Sequence, residues 1–324
     1  MLLSHSSSLL TPSLLHRKLG NLRSMASSEL VTLSDGVHYL PGAVNVGVIE
    51  NGTGGCVLID SGADKDHAKR ILKACRARNL EPVAIVNTHS HADHYGGNAY
   101  LQETLGIPAY SPIFEEAILR YPILEPITLW SGARPPVALQ NKWLLAPASG
   151  TKILNEAGQR EIGGVRLELL DISGHAHIQF AVRVRDVLFA SDAVFGAAIL
   201  QKYPLQFMVD VQHVREAIEA VRSSDARVTL PGHGEPSSDA DALCDANIKA
   251  LERTSNAVLV ACGDVATLPE VLERVCAMLE VTIEDLTRYV LNQTAVLAHL
   301  TDLEERGSVR LEVIRNRLVW TAAQ

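Results

Sequence analysis

A chain of 324 residues with 47% hydrophobic side chains can bury a large core, and its length allows one large domain with a small one beside it. The formal net charge of -8 and a pI of about 5.8 give no electrostatic footprint for non-specific nucleic-acid binding, and no apolar run reaches membrane-spanning length, so neither a nucleic acid nor a bilayer is an expected partner. Five scattered cysteines, Cys56, Cys75, Cys244, Cys262 and Cys276, form no Cys-x-x-Cys pair and read as reduced, packed thiols of a cytoplasmic protein.

Residues 1–28 contain no acidic residue, several serines, and Arg17, Lys18 and Arg23, a composition shared with organelle transit peptides. The preferred expectation is a disordered extension ahead of a second start at Met25, with organelle targeting as the alternative. From Leu30 the chain alternates in short strands, expected over 31–33, 37–40, 44–49 and 56–59, with residues 50–55 as a hairpin turn and Asp60 ending the last strand. Residues 64–78 have a helical stripe of Ile71, Leu72 and Cys75, with Asp64 as N-cap and Asn79 as stop.

The apolar run 83–86 reads as a buried strand, and Asn87 and Thr88 lead from it into His89-Ser-His-Ala-Asp-His94. Four potential ligands in six residues would be costly to bury unpaired and suit zinc, iron or manganese. His89 and His91, two apart, can project to one side. Asp93 and His94 then turn away together, which favours two ligand pairs serving two neighbouring ions over four ligands around one. A helix over 98–105 and a strand over 107–110 follow.

Between 111 and 149 prolines recur, with Phe114, Tyr121, Trp130 and Trp143 among them. This stretch is expected to be a lid or substrate wall, or else a packing insertion or subunit contact. A second strand series is expected over 162–172, 180–185 and 187–190, then a helix over 209–223, a strand over 228–230 and a helix over 239–253. His175, Asp192 and His233 each follow one of these strands, where open layered folds place their chemistry. Two similar halves of this kind suit an α/β sandwich with two sheets inside and helices outside.

Asp60, the His-x-His-x-Asp-His run, His175, Asp192 and His233, in this order, resemble the motif set of the metallo-β-lactamase-fold superfamily over about residues 30–236. The resemblance implies a four-layer αββα sandwich. It implies that His89, His91 and His175 hold one metal, that Asp93, His94 and His233 hold a second, that Asp192 bridges them, and that Asp60 stands behind the ligands. Many relatives carry Ser or Thr after the third-motif His, whereas this chain reads Gly174-His-Ala-His-Ile-Gln179. His177 is therefore a second imidazole, read as a residue behind the ligands, a substrate contact or a packed histidine, with His175 preferred as the ligand because it follows the glycine.

Residues 264–324 contain no ligand motif. Helices over 268–278, 283–289 and 292–306, then two short strands around Arg315-Asn316, resemble a winged-helix module, as found in some relatives. Residues 265–324 carry six Arg and no Lys against nine Asp and Glu, a net of -3, so a structural or homodimer-forming role is expected ahead of nucleic-acid binding. His299 is expected to be a packing residue.

Two divalent ions, zinc first with manganese or iron as alternatives, would ready a water for attack. The expected reaction is hydrolysis of a small-molecule ester, thioester, lactone or amide, as in glyoxalase-II-like and lactonase-like members, with Asp93 orienting the nucleophile. Phosphodiester cleavage and mononuclear-iron persulfide dioxygenation are the alternatives.

Overall fold

The computed structural model describes residues 29–323, so the expected extension over 1–28 lies outside the described residues. Seven strands, β1 (Val31–Ser34), β2 (Val37–Leu40), β3 (Val46–Glu50), β4 (Gly55–Ile59), β5 (Glu81–Val86), β6 (Ala109–Pro112) and β7 (Lys152–Leu154), form one sheet in chain order. β1 to β4 are antiparallel, and β4 to β7 run parallel. The crossover from β4 to β5 is helix α1 (Lys65–Arg76), capped by the Asp64 carboxylate, which accepts from the amides of Asp66 and His67.

The second sheet has the order β12-β11-β10-β9-β8, from β8 (Gly158–Ile162), β9 (Val165–Asp171), β10 (Phe180–Val184), β11 (Val187–Ser191) and β12 (Val228–Pro231). The strand expected over 162–172 is β9, which starts only at Val165 because Gly163 and Gly164, at φ +57° and +80°, make a two-residue hairpin turn from β8. Three apolar layers follow from the alternation of side chains. Val57, Ile59, Val86, Leu167, Leu169, Phe180 and Phe189 pack between the sheets. Leu40, Val48 and Leu58 face Ile71, Leu72 and Cys75 of α1 on the outside of the first. Ala181, Leu188 and Ala190 face the later helices on the outside of the second. The result is the four-layer αββα sandwich.

Between the β5 and β6 ends run two short helices, α2 (Ala92–Tyr95) and α3 (Asn98–Leu105). The proline-rich insertion folds into α4 (Glu115–Arg120), α5 (Leu124–Leu129) and a 3-10 turn at Val137–Leu139, joined to β7. Helices α6 (Ala197–Lys202) and α7 (Val211–Arg222) lie between β11 and β12.

Helix α8 (Ala240–Ala261) runs past its expected end at 253. Its last turns supply Ala257, Val258, Ala261 and Cys262 to a core shared with α9 (Leu268–Met278), α10 (Leu286–Glu305) and the hairpin β13 (Val309–Ile314) with β14 (Arg317–Ala322). The two helices expected over 283–289 and 292–306 are one, α10. Tyr289, Val290 and Leu291 pack beside Leu139 and Leu144 of the insertion, which carries the helix through the junction. His299 is buried on α10, its Nδ1 2.9 Å from Ser255 Oγ of α8, a packing residue as expected.

Candidate metal centre

The site lies at the carboxyl ends of β4, β5, β11 and β12. Asp60 and Ser191, which end or follow β4 and β11, adopt φ +63° and +48°, so the backbone is strained where these strands turn into the site. Three groups of ligand-type atoms converge within 4.8 Å: His89, His91 and His175; His89, His94 and Asp192; Asp93, His94 and His233. The first and third are the two sets implied by the sequence motifs, and Asp192 stands between them. One of its carboxylate oxygens is 3.4 Å from His94 Nε2, while the other is 3.4 Å from His175 Nε2 and 3.3 Å from His233 Nε2.

Three of the imidazoles are aimed by a bond from the other ring nitrogen. His94 Nδ1 donates to Asp60 Oδ2 at 2.8 Å, His175 Nδ1 to the Phe207 carbonyl at 3.0 Å, and His233 Nδ1 to the Ala43 carbonyl at 2.6 Å. These bonds set the tautomer and leave Nε2 free to ligate. Asp60 is itself held by the amide and hydroxyl of Thr88, and that hydroxyl also contacts Ser191 Oγ and His89 Nδ1. Asn45 holds the other side. Its side-chain amide donates to the carbonyls of Pro231 and Gly234, bracketing His233.

The donor set fits divalent ions. His91 Nδ1 is 2.9 Å from both His89 Nε2 and His175 Nε2, and one proton on it satisfies only one of those contacts. His94 Nε2 and Asp192 Oδ1 are buried without a hydrogen-bond partner, a costly state for polar atoms that a shared cation would relieve. Space is tight as well: a Cβ on Gly232 would collide with Asp192 Oδ1. Burial, reinforced by neighbouring imidazoles, holds His89 and His91 well below the ordinary histidine range, which favours the neutral ring that a metal would need. Burial also lowers His175, against the pull of Asp192. For His94 burial acts the same way, but the carboxylates of Asp192, Asp60 and Asp93 outweigh it and raise the ring well above its usual range. Burial pushes Asp192 up, and His233 and His94 more than reverse it.

Of the residues named from sequence, Asp60, His89, His91, Asp93, His94, His175, Asp192 and His233 come together. His177 does not. It is exposed outside the cluster, its ring 6.3 Å from that of Phe114, because the chain turns sharply between it and His175. Sequence reasoning missed the rings walling the site: Phe207, edge-on to His91 and His175 at 5.3 and 5.6 Å, and Phe195, 5.9 Å from His175 and 6.2 Å from His233. It also missed Asn45 and Glu115. None of these carries a spacing signal, since each reaches the site from a loop or insertion.

Fold and side chains thus define a sandwich protein with a His/Asp centre at one edge of its sheets. The sequence model of the Metallo-beta-lactamase superfamily matches residues 39–233. The chain belongs to that superfamily, whose members are in general metal-dependent hydrolases, and its His/Asp cluster is of the corresponding kind. An uncharacterized protein of Aquifex aeolicus is 28% identical over 162 residues, 49% of this chain and 69% of that protein. The hydroxyacylglutathione hydrolase of Nitrosomonas europaea is 28% identical over 134 residues, 41% of this chain and 40% of the enzyme. Among solved structures, a metallo-beta-lactamase family protein from Thermus thermophilus superposes with a TM-score of 0.73 at 20% identity, covering 90% of this chain and all of that one. A beta-lactamase domain protein from Burkholderia ambifaria gives 0.70 at 17% identity, covering 96% of this chain and 99% of its own. At these identities the likeness is one of fold, and its extent takes in the C-terminal helical and β module.

Proposed function

We propose that this chain is a dinuclear metal-dependent hydrolase acting on an ester, thioester, lactone or amide of a small molecule. The observation that carries this reading is the pairing of two three-residue ligand groups, His89/His91/His175 and Asp93/His94/His233, about the single buried carboxylate of Asp192. The partial likeness to hydroxyacylglutathione hydrolases supports the substrate class. Divalent ions held there, zinc first, would lower the pKa of water toward neutrality and neutralise charge developing on oxygen.

The chain's own residues do the rest. Asp60, Thr88 and the carbonyls of Phe207 and Ala43 fix the imidazoles before substrate arrives, so little reorganisation is left for the reaction. Asp93 is half-exposed at the rim, 3.5 Å from His233 Nε2, where its carboxylate orients the attacking water and accepts its proton. Phe195 and Phe207 exclude bulk water on one side.

The test is a panel of thioester, lactone and phosphodiester substrates run on wild type and Asp93→Ala, with metal analysis of protein purified without added metal. About two zinc or manganese ions per chain and thioester or lactone turnover that collapses in Asp93→Ala are expected. One iron per chain with oxygen consumption, or turnover confined to phosphodiesters, would overturn the reading.

A further inference from the structure

Glu115 is 1% exposed, in the insertion between β6 and β7 of the first sheet. Its Oε2 accepts from the Ser90 amide at 3.0 Å and, through a short contact, from the Ser90 hydroxyl; its Oε1 accepts from the Ile178 amide at 3.2 Å. Ser90 lies between His89 and His91, and Ile178 is three residues beyond His175. One carboxylate therefore grips both loops that carry the first ligand group.

Packing alone does not account for it. Among the described residues no Lys or Arg pairs with Glu115, so the buried group relies on the three donors from the ligand loops. The residue before it, Phe114, has φ +74° and ψ -55°, a strained backbone for an aromatic, and the residue is 69% exposed, so the core does not hold it there. The strain is held between two anchors, the Ile113 amide bonded to the Leu154 carbonyl at 3.0 Å and the bonds of Glu115. Beyond Glu115, Leu119 and Ala146 of the insertion pack on Ala92 and Tyr95, which flank Asp93 and His94.

We propose that Glu115 is a positioning residue that joins the insertion to the metal centre, holding the His89/His91 and His175 loops at one spacing so that metal affinity and the order of the insertion rise and fall together. This rests on the metal-centre reading above. By linkage, metal binding tightens the insertion and loosening the insertion weakens metal binding by the same factor. Glu115→Gln is nearly isosteric and retains one acceptor oxygen for Ser90, but it sets an amide donor against the Ile178 N–H.

The experiment compares full-length wild type, Glu115→Gln and Ser90→Ala, the milder variant that keeps the backbone bond. It measures zinc affinity by chelator competition, the unfolding midpoint of the metal-free protein, and amide hydrogen exchange over residues 89–94, 113–120 and 173–179 with and without zinc. In wild type, zinc should slow exchange in all three segments. In Glu115→Gln, zinc affinity should fall by about tenfold or more, in the range found when the partners of ligands are lost, the zinc-induced protection of 113–120 should disappear, and activity should return at high zinc. Ser90→Ala should move the same way by less. Wild-type affinity and protection in both variants would overturn the proposal while leaving the hydrolase reading intact; a wild-type protein that takes up no divalent ion would sink both.

Discussion

Asp60 is buried behind His94, whose ring it sets, and is itself fixed by Thr88. Asp60→Asn keeps one acceptor and turns the other into a donor facing a donor, so metal affinity should fall about 10- to 100-fold with the fold retained, as chelator competition and the unfolding midpoint would report. Unchanged affinity would remove Asp60 from the centre. Gly232 makes a steric counterpart, because a methyl there would enter the space of Asp192 Oδ1. Gly232→Ala removes no ligand and should still lower the metal content of the purified protein, read by elemental analysis. The ligand candidates were legible because His89, His91, Asp93 and His94 share one short run and the others follow apolar strands. Phe195, Phe207, Asn45 and Glu115 were not, because nothing in the local pattern tells a ring or amide that lines a site from one that fills a core.

At the level of elements, α10 is where reading the chain and folding it diverged. The break expected at residues 290–291 does not form, because packing of Tyr289, Val290 and Leu291 against the insertion outweighs a few tenths of a kcal/mol of propensity. The same helix carries a pH-dependent term. Burial, then the charge of Arg215, pushes His299 down to about 3. Its folded value lies below its unfolded one, so its contribution to stability is complete above the ordinary histidine range and is lost as pH falls, by about 2 kcal/mol at pH 5. In His299→Gln the difference in unfolding free energy between pH 7 and pH 5, measured by urea titration, should shrink by about that amount. An unchanged difference would mean that His299 titrates normally.

Across the whole molecule, the C-terminal module and the sandwich share side chains. Leu205 and the end of α8 lie in the core of the module, and Ala298 of α10 lies in the core outside the second sheet. Deleting residues 264–324 would expose Ala257, Val258, Ala261 and Cys262 together, so the shortened chain should aggregate or unfold at a much lower temperature, read by light scattering and thermal melts. A soluble monomer with the full-length midpoint would show instead that the module is dispensable for stability. The module's net charge of -3 over 265–324 predicts no salt-sensitive binding to duplex DNA in a mobility-shift assay.

The order of strands and helices, the four-layer class and the ligand-type residues were readable from the chain itself, because side-chain periodicity and the crowding of imidazoles and carboxylates are local properties. Tertiary structure alone placed His177 outside the cluster, joined two expected helices into one, and brought Glu115 and Asn45 to the centre. Those outcomes depend on contacts between segments tens to hundreds of residues apart, such as Glu115 with Ser90 and Asn45 with Pro231, which no local pattern in the sequence records.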